Sequence, residues 1–185
     1  MAKASYPRDM KLGGRFVVPG RAVVLALVMG VVGCGPSAGQ VKQAKEARYQ
    51  AEPNVVFKAA ADAVASRYKI QNADAGAGVI LTVARWYEKD GTFEDKAADG
   101  SQVMAEDGSV LLAFEVRVVG KPGPLQVQVV IHAKQIRSGY SALYELRQDD
   151  PAMPGWVTGK VDDLYVTIHD SLKGYQLSPP AAAGS

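Results

Sequence analysis

VLLAFEVRVVGKPGPLQVQVVIHAKQI, residues 110–136, decides the fold. Over 110–119, Leu112, Phe114, Val116 and Val118 fall on one side, Glu115 and Arg117 on the other. Lys121-Pro122-Gly123-Pro124 is a turn. Over 125–136, Leu125, Val127, Val129, Ile131 and Ala133 share a side. Gln126, Gln128, His132 and Lys134 lie opposite, interrupted by Val130. Apolar residues at every second position describe two antiparallel strands with one buried face and one wet face.

Upstream, GVILTVARWYE at 78–88 is rich in β-branched and aromatic residues and predicts a third long strand. Tyr49-Gln50-Ala51 and residues 68–71 predict short ones, and Asn72–Gly76 a turn. Pro53 opens a helix over 53–67 with Phe57, Ala60, Ala61 and Val64 at spacings of three and four. Downstream, Arg137-Ser138-Gly139 turns the chain into a strand at 140–147. Val161, Leu164, Tyr165, Ile168 and Leu172 form one apolar stripe on a helix at 156–173, with Gly174 as its stop. Each helix has an apolar face to bury. The expected class is α+β, a two-layer helix-on-antiparallel-sheet domain over 49–175 with four to five strands and two helices. Residues 89–109 interrupt it as an acidic, glycine-punctuated insertion, expected to be mobile.

The chain has 185 residues, one cysteine and two histidines, which excludes an internal disulfide and any multi-cysteine metal site. Of its 21 basic and 19 acidic residues, five and one lie in 1–33, leaving 16 and 18. The remainder is slightly acidic, which argues against a nucleic-acid partner. Directly after Arg21, residues 22–33 form an uncharged apolar run of 12. A spanning helix needs about 20 apolar residues, whereas a signal-peptide core needs roughly 7–15. The run ends Val31-Val32-Gly33-Cys34, which resembles the lipobox of bacterial lipoproteins. That resemblance implies cleavage between Gly33 and Cys34, with diacylglycerol and an N-acyl chain on Cys34. It makes 1–33 a signal peptide, whose start is Met1 or the better-placed Met10. Gly35 rather than Asp after the cysteine implies, by the enteric sorting rule, the periplasmic face of the outer membrane.

Residues 34–48 have a single valine and no large apolar side chain after the cysteine, which predicts a flexible tether. Its deletion is expected to leave the melting temperature nearly unchanged. Residues 176–185, ending SPPAAAGS, predict an unstructured tail.

Tyr49…Val55-Val56-Phe57…Ala60…Ala63-Val64…Tyr68-Lys69-Ile70…Asp74…Gly78-Val79-Ile80…Thr82 resembles the start of the BamC-like helix-grip modules of bacterial envelope lipoproteins. The resemblance covers residues 49–173 and implies one such module. It also implies a part in outer-membrane assembly.

Catalytic signatures are weak. Gly139-Tyr140-Ser141-Ala142-Leu143 lacks the final glycine of a nucleophile elbow and falls on a predicted strand. His132 and His169 are expected at the surface. Asp90, Glu94, Asp95, Asp99, Glu106 and Asp107 lack the spacing of a calcium loop. No catalytic residue, metal or cofactor is expected beyond the acyl groups on Cys34. Candidate binding residues are Trp86 and Tyr87, on opposite faces of one strand, and Trp156, which is either a contact or a plug over the sheet end. The expected role is a non-enzymatic binding or scaffold module meeting another envelope protein, with its oligomeric state open. The alternatives are a carrier holding a lipid or glycan between helix and sheet, and a hydrolase.

Overall fold

The computed structural model describes residues 35–93, 105–120 and 123–177. Residues 1–34 with the expected signal segment, Gly33 and Cys34, residues 94–104 of the insertion, Lys121 and Pro122 of the expected turn, and the tail from 178 lie outside the described residues. In chain order the elements are α1 (Ala38–Glu46), β1 (Tyr49–Gln50), α2 (Pro53–Ala65), β2 (Ile70–Asp74), β3 (Val79–Thr82) and β4 (Arg85–Tyr87). They continue with β5 (Val110–Val119), β6 (Pro124–Gln135), β7 (Tyr144–Leu146), α3 (Gly155–Leu172) and a 3-10 turn at Lys173–Tyr175.

The quoted hairpin forms as expected. β5 and β6 pair antiparallel from Val110↔Gln135 to Val119↔Gln126. The sheet order is β1-β6-β5-β3-β2, with β4 also beside β5 and β7 also beside β6. β1 pairs with the start of β6 and β7 with its end. β3 and β4 likewise share one side of β5. Among the described residues seven antiparallel strands thus fill five positions, and the expected α+β class holds with more strands and one more helix than anticipated.

The long strand expected at 78–88 is broken. Leu81 opposes Glu115, but Arg85 opposes Leu112, so β3–β4 advances four residues while β5 advances three. That extra residue is a β-bulge. Thr82 Oγ1 accepts the Phe114 amide at 2.9 Å, replacing a ladder bond at the break. The bulge also reverses the side-chain alternation. Ile80 and Thr82 are buried before it and Tyr87 after it. The strand expected at 140–147 shrinks to β7, because β6 ends at Gln135, opposite Tyr144. β2 runs later than expected, to Asp74, whose Oδ1 accepts the Ala77 amide in the turn. Gly78 follows at φ +66°. A Cβ there would lie 2.8 Å from the Val118 carbonyl oxygen, so this close approach of β3 to β5 requires glycine.

The three α-helices among the described residues lie on one face of the sheet. Val56, Ala60, Ala63 and Val64 of α2 join Val157, Val161, Leu164, Ile168 and Leu172 of α3 over Ile80, Leu112, Phe114, Val116 and Val129 in one contiguous core. Between β1 and β7, the Tyr165 hydroxyl accepts the Val129 amide at 2.9 Å on the open side of β6.

The expectation of a flexible tether at 34–48 is corrected. Ser37 and Gln40 form a reciprocal capping box that starts α1. Ala44 and Ala47 are buried, Lys45 pairs with Asp162 at 2.7 Å, and the Lys45 carbonyl accepts from Gln126 Nε2 at 3.0 Å. Small side chains bury little area, yet they let the helix lie close to α3 and β6. The tail is corrected as well. Gln176 bridges Tyr49, and the Leu177 amide donates to the Arg48 carbonyl at 2.8 Å. Deleting residues 35–46 is therefore expected to lower stability by roughly 1–2 kcal/mol, several degrees in Tm. Thermal unfolding of the truncated chain checks this, and an unchanged Tm would return the segment to a tether.

Candidate functional site

The face of the sheet away from the helices has no helix over it among the described residues. Across it, Trp86 stands opposite Leu111 and Leu111 opposite Lys134. Leu81 stands opposite Glu115 and Glu115 opposite Val130; Val79 stands opposite Arg117 and Arg117 opposite Gln128. Trp86, Leu81, Val79, Leu111 and Val130 are half-buried, while Arg117, Gln128, His132 and Lys134 are exposed.

Glu115 is the hub of this face. Arg117, two residues along the same strand, donates from Nε to Glu115 Oε1. His132, the diagonal neighbour on β6, places Nε2 2.8 Å from Oε2. The Arg117 hydrogen bond, aided by His132, holds the Glu115 carboxyl below the usual range despite its partial burial. Both carboxylate oxygens are engaged, so the trio presents a fixed array of donors ringed by aliphatic side chains. On the same face, exposed Glu145 of β7 stands opposite Lys134, and Asp74 of β2 opposite Val79.

The three aromatic candidates separate. Trp86 lies on the uncovered face. Tyr87, 4% exposed, points into the helix side. Its ring lies 5.3 Å from that of Trp156 and 5.6 Å from that of Phe93. Trp156 Nε1 donates to the Lys89 carbonyl at 3.0 Å. Gly91, at φ +91°, lies so close that a Cβ would come 2.8 Å from the indole. Trp156 is thus a plug that clamps the turn after β4, and residues 89–93 of the insertion are an ordered return, with Tyr87 bridging Phe93.

The remaining candidates disperse. Ser141 is exposed in the loop before β7 rather than on a strand. Asp90 Oδ1 accepts the Thr92 amide at 2.9 Å and Asp107 Oδ1 the Ser138 amide, so these acids cap turns. Glu94, Asp95 and Asp99 lie outside the described residues. Among the described residues no group of three or more His, Cys, Asp or Glu side chains is placed to hold a metal, and no helix is long and apolar enough to cross a membrane.

His169 corrects the expectation of a surface histidine. It is 3% exposed, and its Nδ1 shares a 3.0 Å hydrogen bond with the Tyr49 hydroxyl. Position 169 adjoins Ile168 on the core stripe of α3, so the ring turns inward against β1. Nε2 is buried without a partner. Burial, seconded by Lys173 and opposed by Asp170, lowers the His169 pKa. Burial, then Asp170, pushes Tyr49 up to about 12. The pair is therefore neutral.

The Glu115–Arg117–His132 trio escaped the sequence reading, although all three residues were placed on the polar face. The missing step was the register, in which Glu115 stands opposite Val130 and diagonal to His132. A scan against protein-family models finds no match to this chain, and a search of curated proteins finds none either.

Two outcomes are expected. Gly91→Ala should cost about 1–3 kcal/mol through positive-φ strain and collision with Trp156, read by urea unfolding. His169 has a folded pKa below its ordinary 6.5, so the unfolded chain takes up the proton first as pH falls. The protein should lose stability as pH drops through 6.5 towards that lower folded value, and the loss should then level off. His169→Gln should flatten this slope between pH 7.5 and 5.5, and an unaltered slope would assign the dependence to another group.

Proposed function

We propose that this chain is a lipid-anchored envelope lipoprotein that serves as a binding or scaffold module. Cys34 ties it to the membrane, and the uncovered sheet face around Glu115, Arg117, His132 and Trp86 meets another envelope protein. The observation that carries the reading is that face, where a fixed ionic trio sits among half-buried aliphatic residues and an indole. Polar groups already held in place by one another bind a complementary surface with little further loss of side-chain entropy. The BamC-like order of elements favours a partner in outer-membrane assembly. The carrier alternative is disfavoured because the space between α2, α3 and the sheet is occupied by side chains exposed 5% or less.

The test has two parts. Cys34→Ala should move the protein from the membrane to the soluble fraction, and persistent sedimentation with membranes would remove the anchor as the sole attachment. A photo-crosslinking residue at Gln128, on the uncovered face, should capture a discrete partner in intact cells. The same residue at exposed Ser171 on α3 should not. Capture from Ser171 alone would place the interface on the helix side and overturn the assignment of the face.

A further inference from the structure

The docking of α1 changes how far the folded domain can stand from its lipid. A disordered segment from Cys34 to Arg48, 14 residues, would reach about 50 Å when extended. That would leave the domain free to roam well above the bilayer. In the structure, helix α1 begins at Ala38 behind its Ser37 cap and is tied to the body by the Lys45–Asp162 ion pair and the Gln126 bond to the Lys45 carbonyl. The free leash is then Gly35, Pro36 and Ser37. From Cys34 to Ser37 it spans at most about 11 Å, and Pro36 stiffens it. The headgroup layer of one leaflet is itself about 5–8 Å thick.

We infer that the domain is held directly against the lipid surface, with the end of α1 around Pro36, Ala38 and Gly39 facing the headgroups. This rests on lipidation at Cys34. Charge agrees with contact. Residues 35–41 carry no charged side chain, and from 35 to 45 the only charges are Lys42 and Lys45. The neighbouring carboxylate, Asp162, is already paired with Lys45. An anionic or zwitterionic headgroup surface thus meets no acid within residues 35–41, while the exposed carboxylate of Glu46 stands at the far end of α1. The opposite edge of the sheet, β2, lies four strand positions from β1, about 19 Å at ordinary strand spacing. The leash therefore fixes an orientation as well as a height, with α1 down and β2 away from the bilayer.

The native cysteine is the lipidated one, so an introduced cysteine can be labelled alone. Gly39→Cys sits on α1 where a side chain meets nothing within 4 Å, and Asn72→Cys sits on exposed β2. The lipidated full chain is reconstituted into phosphatidylethanolamine–phosphatidylglycerol vesicles containing a headgroup-nitroxide lipid. Fluorescence from a label at position 39 should be quenched several-fold more than from one at 72. A ten-residue Gly-Ser insert between Gly35 and Pro36 should erase the difference. Equal quenching at the two positions without the insert, on protein that floats with the vesicles, overturns the apposed orientation while leaving the anchor standing. Protein that does not float overturns the anchor and this inference together.

Discussion

The pairing of β5 with β6 is the constraint on which the rest of the molecule depends. Each of the other strands bonds to one of these two, except β2, which reaches them through β3. Their shared alternation sets the two faces of the sheet. One row, Leu112, Phe114, Val116, Val127 and Val129, receives the helices. The other leaves Glu115, Arg117 and His132 in reach of one another. Sliding β6 by a single residue against β5 would turn His132 towards the helices, away from Glu115, and Val127 and Val129 towards the uncovered face. The row of buried Val116, Val127 and Val129 opposes that slip. Core and candidate face are therefore two outcomes of one register.

What was legible in the sequence was whatever repeats. The two-residue period of 110–136 and the helical stripe of Val161, Leu164, Ile168 and Leu172 gave the layers, the helix positions and the polar face. What stayed hidden depends on contacts between residues distant in sequence. The break at 82–85 follows from a match to β5 some thirty residues later and is sealed by a hydroxyl on a backbone amide. Tyr49 and His169 lie 120 positions apart, and neither shows in isolation that it buries the other's polar atom. The helix at 38–46 was concealed because alanines offer little area to a burial argument, although their smallness is what permits close packing. The run ending Val31-Val32-Gly33-Cys34 is the reverse case, because its resemblance to a lipobox is entirely local and implies processing rather than packing.

The two ends of the domain are fastened at one place. The residues before β1 arrive from α1, and the chain returns after α3 so that Gln176 bridges Tyr49 and the Leu177 amide reaches Arg48. Tyr49 in turn carries the hydrogen bond to His169. Helix docking and chain closure thus converge on the β1 edge. A perturbation there has a mechanical route to the core that one at β2 lacks.

The hydroxyl of Tyr165 on the Val129 amide has a bearing on how the chain meets its neighbours. Between β1 and β7 the middle of β6 is an edge, and unpaired edges recruit foreign strands. A phenol that already occupies the amide denies that stretch of edge to a stranger's backbone. The bulged, Asp-terminated β2 guards the opposite side. With both margins protected, association is steered away from strand addition, which would propagate into fibrils, and towards side chains that recognise a specific shape.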